Sequence, residues 1–390
     1  MKSLALSLGA PFGGRLAARL RQRDVQVQIA FVGLVALVVI SMIHTASGIE
    51  GRDGAQSGFG FLWGRANFEL GESLIPYRAG DTYARAFAVG ILNTLKVAVC
   101  GIVLSTLLGL LIALGQLSPS VLTARFCRVY IEVFRNMPLL LQLIFWHTFL
   151  VRGLPVVRNA LSPLPGVYLT NRGLYIPAIE GHAAYGWMAL ALVAGTAGAV
   201  MVARYLHRHD RALSGRLRAG IVLAPPLVVF LAFGAPFTVD IPELAGFNFR
   251  GGWTLTPEFA AMVIGLTLYT AAFNAEIIRA GILGIPKGQS EAGYALGLHR
   301  RQVMRLIVIP QTLRIITPPM TNSYLNLTKE SSLAVAIGYP EVVRVANITL
   351  AETNRAIECV ALIMIIYLAL SLVISALLNL VNARAQLEQR

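Results

Sequence analysis

Two groups of residues in this sequence could do chemistry within or beside an apolar phase. The first is a polar stripe, Asn322, Asn326, Lys329 and Ser332, in an otherwise apolar stretch. Spacing of three and four residues puts these side chains on one face of a helix. Amides and a hydroxyl so arranged can hydrogen-bond a polar solute, and an ammonium can attract a carboxylate. A cation at the centre of a membrane helix costs about 2.5–3.5 kcal/mol, so Lys329 is not expected to face lipid. It either lines a route for a zwitterionic or acidic solute, or it snorkels or pairs within the protein to fix a helix interface. The residues alone leave both readings open. Glu330 follows directly, but adjacent helical residues point about 100° apart, so the two are not assumed to neutralise each other.

The second group lies in residues 284–314, which carry Pro286, Gly288, Ser290, Glu291, Ala292, Gly293, Gly297 and Pro310. Ser290 can cap a helix, Glu291 suits its positive end, and Gly297 suits its termination. A helix over about 291–296 follows, too short to span a bilayer. Its Ala292, Gly293 and Ala295 would let another protein approach closely. Docking element and ordinary surface helix both fit these local features. Just upstream, Glu276 and Arg279 stand at i and i+3, where a local ion pair is the simplest reading.

Other chemistries are poorly supported. No nucleophile, base and oxyanion-hole set is visible, and the phosphate-binding pattern G-x-x-x-x-G-K-[ST] does not occur, so ATP is not expected on this chain by that route. Cys100, Cys127 and Cys359 lie far apart, indicating neither a disulfide framework nor a zinc site. The histidines, among them His207 and His209, show no metal-ligand spacing.

The elements that must position these residues are membrane helices. Only 13% of the residues are charged, against about a quarter in soluble domains, while 56% are hydrophobic and mean hydropathy is +0.66. The net charge of +14 comes from arginines that punctuate the apolar runs, a topology signal and not a nucleic-acid-binding face. A span needs about 20 mostly apolar residues. Eight segments qualify: 25–45, 87–117, 137–151, 186–205, 219–239, 259–283, 315–338 and 359–381. The first resembles a signal-peptide core, but no cleavage pattern follows at once, and it is read as a retained helix. Arg125, Arg128 and Arg135 follow the second span, Arg204, Arg208, Arg211, Arg216 and Arg218 the fourth, and Lys287, Arg300, Arg301, Arg305 and Arg314 the sixth. With the basic arm of Lys2, Arg15, Arg19, Arg21 and Arg23, all fall on one side, which the positive-inside rule makes cytoplasmic, together with both termini. The expected fold class is all-α and polytopic. Pro225-Pro226 and Pro318-Pro319 are expected to kink or interrupt their helices, the second pair beside a substrate cavity.

The spacing Glu291-Ala292-Gly293, Gly297, Ile307 and Ile309-Pro310 resembles the E-A-A-x3-G-x9-I-x-L-P loop of permease subunits of bacterial ATP-binding-cassette importers. Gly stands for the third small residue and Ile for Leu, both mild departures. Gly90 with Asn93-Thr94-Leu95 resembles the G-x-x-N-T-L signature of the subfamily importing polar amino acids. Glu132, Arg135, Pro138 and Gln142 resemble its E-x-x-R-x-x-P-x-x-x-Q segment. Ala275-Glu276-Ile277-Ile278-Arg279 precedes the docking loop as in that group, and Lys329-Glu330-Ser331-Ser332-Leu333 is similar to its K-x-S-S-L segment.

The resemblance implies a five-helix permease core of the MetI-like type I class, in residues 87–154 and 257–390. Residues 1–86 hold the basic arm, first span and outer loop, and 155–256 an insertion with two extra spans, as in the larger permeases of general L-amino-acid or glutamate, glutamine, aspartate and asparagine uptake. It further implies a location in the bacterial inner membrane and an ATPase dimer docked at Glu291, Ala292, Gly293, Gly297, Ile307 and Pro310. A second permease, identical or related, and a periplasmic amino-acid-binding protein would complete the assembly, with ATP and Mg on the ATPase and no cofactor on this chain. Membrane lipid is the remaining partner, and no nucleic acid is expected. A secondary transporter or channel would equally explain helices and buried charge, but it gives no reason for the cytoplasmic pattern. A membrane-embedded enzyme would need a catalytic cluster that is not visible.

Overall fold

The computed structural model describes residues 58–179, 182–207, 214–234 and 237–387. The basic arm and the first expected span, 25–45, lie outside them. Helix α1 (Tyr83–Gln116) is capped by Thr82, and α2 (Val121–Asn136) and α3 (Leu139–Gly153) follow. Next come α4 (Ala183–His207), α5 (Gly215–Ala232) and α6 (Pro257–Leu283), the last opened by a Thr256 cap and Pro257 in its first turn. The short helices α7 (Lys287–Ala295) and α8 (Arg300–Val303) lead through a π-helical turn, Met304–Val308, into α9 (Ile309–Glu330). A 3₁₀ segment, Ser331–Ile337, then precedes α10 (Val342–Thr353) and α11 (Ala356–Leu387).

Among the described residues five helices are long and apolar enough to cross a bilayer: α1, α4, α5, α6 and α11. A sixth span results if the helix continuing from α8 through α9 and α10, which meet at 48°, are taken together. The expected third span needs amendment. Helix α3 has 15 residues, about 22 Å of rise, short of a core of about 30 Å. Ahead of it lies α2, a stretch read from sequence as a basic connection. It is instead an amphipathic helix whose Cys127 and Ile131 pack into the core and whose Tyr130 hydroxyl donates to the Leu268 carbonyl of α6 at 2.8 Å. Arginines at 125, 128 and 135 lie on its exposed face. Helices α2 and α3 are thus two separate elements, divided at Met137-Pro138.

The core is held by close backbone approach and shared polar atoms, the usual means where lipid gives no hydrophobic driving force between helices. Gly109 of α1 lies so near α6 that a Cβ would sit 2.8 Å from Asn274 Cβ. Asn274 donates to Ser105 of α1 at 3.4 Å and accepts from Ser323 of α9 at 2.7 Å, joining three helices. Nothing in the sequence reading singled it out. Lys96 of α1 is paired with Glu72 of the segment before it. Thr256 donates to the same carboxylate, and the ammonium lies 3.9 Å from the Phe259 ring centroid. The segment before α1 is therefore strapped across α1 and α6. In that strap, burial, helped by Asp81 and Glu352, pushes the Tyr77 hydroxyl up to about 12, so it stays a neutral donor to the Phe68 carbonyl.

The insertion makes an outer lobe and a helical hairpin. Strands β1 (Leu161–Leu164), β2 (Val167–Thr170), β3 (Gly173–Ile176) and β8 (Trp253–Leu255) form an antiparallel sheet in the order β1-β2-β3-β8. Two ribbons complete it: β4 (Ala178–Ile179) with β5 (Val239–Asp240), and β6 (Glu243–Ala245) with β7 (Asn248–Arg250). These strands add a small β portion to a mostly helical chain. Helices α4 and α5 pack on each other, and α5 has no buried residue, as befits a lipid-facing hairpin. Pro225 and Pro226 do not interrupt α5, contrary to expectation. Lacking N–H groups, they release the carbonyls of Ile221 and Val222. Gly195 of α4 lies against those same two oxygens, each 2.9 Å from where a Cβ would stand, so its Cα–H groups cover what the prolines expose. Pro318 and Pro319 likewise lie within a continuous α9.

Gly195→Ala should therefore destabilise the hairpin by roughly 1–3 kcal/mol. Gly198→Ala, whose nearest neighbour is the Ile221 side chain at 3.9 Å, should be silent. Thermal unfolding of the two variants in the same detergent checks the contrast.

Candidate functional site

The segment between α6 and α9 forms a compact hook. Helix α7 starts at Lys287 with Pro286 at the N-cap (φ −57°, ψ 133°), so Ser290, inside the first turn, is not the cap and Glu291 is mid-helix. The C-terminus is as expected. Gly297 has φ +78°; its N–H donates to the Tyr294 carbonyl and that of Leu298 to Gly293, the paired bonds of a Schellman ending. Gly293 faces inward, where a Cβ would meet Ile307 Cδ1 at 2.7 Å and Val303 Cγ2 at 3.0 Å. Its smallness therefore serves packing within the hook, not the approach of another protein. Ile285, Val303, Val308 and Leu298 complete this small core.

What the hook leaves outside is Glu291, Ala292, Ala295 and Leu296, the last 81% exposed. Ile307 is half-buried beneath them, and Pro310 lies in the first turn of α9, directly after the π turn. Just ahead of Pro310, Ile309 bonds back to Met304, closing the π turn. Gln311 reaches back to Gln289 at 3.4 Å, a second tie between α9 and α7.

The residues assigned to the other patterned blocks are architectural. Gly90 lies against Val342, with a Cβ position 3.2 Å from its Cα. Asn93 donates to the Pro340 carbonyl at 2.9 Å and to that of Glu72 at 3.0 Å, and Thr94 accepts from the Val342 N–H at 3.4 Å. Together they seat the turn that links the 3₁₀ segment to α10. Glu341, buried, caps α10 through the N–H groups of Val343 and Arg344 and accepts from Tyr367 of α11. Gln142 of α3 donates to the carbonyls of Phe134 and Met137, both at 3.1 Å, satisfying the end of α2 across the break made by Pro138. Glu132 is exposed, and Arg135 lies over the Phe273 ring at 5.0 Å. Glu276 and Arg279 form the local pair at 2.8 Å, which Gln116 joins from α1.

The polar stripe is redistributed. Asn322 and Asn326 line a cleft of about 290 Å³ between α6 and α9, with Tyr269, Phe273 and Ser323. Its ionisable group is Glu330, not Lys329. Lys329 is exposed on the adjoining face, three residues and so about 60° round the helix from Asn326. Ser332, expected to extend the stripe, falls in the 3₁₀ segment, where the helical period changes, and is half-buried. Among the described residues no cluster of three or more His, Cys, Asp or Glu is placed to hold a metal ion.

The architecture is that of a multi-pass helical membrane subunit with a hook between two of its helices. Residues 219–387 match the family described as the inner-membrane component of binding-protein-dependent transport systems. A general L-amino-acid transport system permease protein from Rhizobium johnstonii is 43% identical over 95% of this chain and 94% of its own. A putative amino-acid ABC transporter permease protein from Escherichia coli is 43% identical, covering 93% of each. A glutamate/glutamine/aspartate/asparagine transport system permease protein from Rhodobacter capsulatus is 38% identical over 95% of each. Among solved structures, a crystal structure of an amino acid ABC transporter with histidines covers 77% of this chain and 95% of its own at 24% identity and a TM-score of 0.47. The chain belongs to the family of amino-acid ABC transporter permeases, multi-pass proteins of the inner membrane.

The hook's packing yields a direct test. Gly293→Val should loosen it by about 1–3 kcal/mol. Amide hydrogen exchange over 287–308 should then accelerate, whereas Ala292→Val on the exposed face should leave it unchanged.

Proposed function

We propose that this chain carries polar L-amino acids across the inner membrane as the passive half of an importer driven by a separate ATPase. The observation that carries the reading is the hook: a folded two-helix element built on Gly293, Val303 and Ile307, with Glu291, Ala292 and Leu296 turned to solvent. Its interior accounts for its shape, so its outer face is free for a partner. In this reading an ATPase dimer, holding ATP and Mg, takes that face, and a periplasmic binding protein delivers the amino acid to the opposite side. Both chain termini are cytoplasmic.

The cleft between α6 and α9 is the proposed route. Asn322, Asn326 and Lys329 are exposed in this single chain although they belong to a membrane helix. Lipid is a poor neighbour for a lysine, so a second permease covers this face, and the two clefts meet across the join. Glu330 would receive the substrate's ammonium and the two amides would serve its carboxylate, while Lys329, at the rim, belongs to the join between permeases.

Reconstitution with a cognate ATPase and binding protein tests both parts. Glu291→Lys should abolish ATP-coupled uptake by loss of ATPase retention on copurification, and full uptake would refute the docking assignment. Glu330→Gln should keep the assembly and its basal ATP hydrolysis intact while uptake falls by about tenfold, a loss of roughly 1.4 kcal/mol. Unchanged uptake would remove Glu330 from the route.

A further inference from the structure

The tip of the β6–β7 hairpin combines exposure with rigidity. Gly246 turns it with φ +68°, and Phe247, beside it, is 74% exposed. An unsupported phenylalanine in water would be mobile, but this one is held twice. Arg158 lies over its ring at 5.4 Å, and Arg172 donates to its carbonyl at 3.2 Å. Behind the tip, Phe249 stacks on Tyr168 at 4.4 Å and packs on Tyr175 at 5.0 Å. The Tyr175 hydroxyl donates to Asn248 at 2.7 Å.

The height of this tip follows from its connections. Arg158 stands a few residues beyond the outer end of α3 at Gly153. The turn carrying Arg172 is tied to the same place, because the Asn171 N–H donates to the Pro155 carbonyl at 2.8 Å. Gly173, next along, lies against the Leu255 carbonyl, just ahead of the start of α6. The two arginines and Phe247 therefore sit level with the outer ends of two core helices, where a bilayer presents its headgroups. The other membrane-side rim of the lobe has the same character: Ile179 and Val239 face each other across the β4–β5 ribbon beside α4 and α5, both half-exposed, and Trp187 in the first turns of α4 is 55% exposed.

We infer that the outer lobe is an anchor on the outer leaflet, with Arg158 and Arg172 taking the phosphate of an anionic phospholipid and Phe247 entering the acyl boundary beside it. The charges are complementary, the aromatic ring is of the kind that membrane interfaces favour, and the surface continues the lipid-facing helices below. An aqueous protein partner would find the same residues at the membrane surface, partly occluded by headgroups, so lipid is the occupant that the height selects.

The full chain with Trp63, Trp146, Trp187 and Trp253 replaced by Phe and carrying Phe247→Trp, placed in nanodiscs containing phosphatidylglycerol, gives one readout. Lipids brominated near the carbonyl should quench its emission strongly and aqueous acrylamide weakly. A second readout keeps the native tryptophans: in Arg158→Gln/Arg172→Gln, phosphatidylglycerol retained through detergent exchange and counted by native mass spectrometry should fall by about tenfold or more. Indole emission typical of water, with acrylamide quenching relieved only by adding the binding protein, would overturn the inference in favour of a protein dock. Unaltered lipid retention in the double variant would overturn it as well.

Discussion

Inside hydrocarbon a backbone N–H or C=O without a partner has no water to turn to, and each one costs several kcal/mol. An unbroken helix meets this constraint by itself, and a broken one does not. This chain breaks or weakens its apolar helices at Met137-Pro138, at Pro225-Pro226 and between Ser331 and Glu341, and each site has a partner residue from elsewhere. Gln142 caps the end of α2, Gly195 covers the carbonyls released in α5, and Asn93 with Thr94 holds the turn before α10. The core can keep its irregular helices only because these partners are supplied.

That constraint explains why so many patterned residues prove architectural. Asn93, Thr94, Pro138 and Gln142 face breaks, and Gly293, Gly297 and Pro310 shape the hook. A pattern of this sort records what the backbone needs at a bend. The residues that these breaks and bends do not use are fewer: Glu291, Ala292 and Leu296 lie exposed on the hook, and Asn322, Asn326 and Glu330 line the cleft.

Long apolar runs were legible because hydropathy over about 20 residues is a strong, local signal. Seven of the eight expected segments coincide with helices, the remaining one lying outside the described residues. Helix α2 was not legible as a helix, because Arg125, Arg128 and Arg135 on its exposed face make it read as a basic loop. The strands of the outer lobe are two to four residues long, too short for an alternating pattern to emerge. The start of α7 was misplaced because Ser290 offers a cap that Pro286 makes unnecessary. That Glu330 and not Lys329 lines the cleft has a geometric reason: side chains about 100° apart do not both enter one cleft, and composition does not say which will. The pairing of Lys96 with Glu72 joins segments distant in sequence, and nothing local announces it.

One continuity bears on how the two functional regions communicate. From Arg300 the chain runs helically through the π turn and α9 into the 3₁₀ segment that ends at Ile337. The side chains that pack beneath the exposed face of the hook, Val303 and Ile307, and those that line the cleft, Asn322, Asn326 and Glu330, therefore belong to one rod. The rod is gripped along its length by α6, where Gly281 admits Ile316 so closely that a Cβ would stand 2.2 Å from its Cγ2, and where Asn274 receives Ser323. Its far end meets the turn clamped by Asn93 and Thr94 on α1, itself strapped by Glu72. A force on the hook thus enters a stiff element held at its outer end, and the displacement it can produce is a tilt or rotation of α9 about that clamp. Because the cleft lies between α9 and α6, such a movement changes the spacing of the groups that line it.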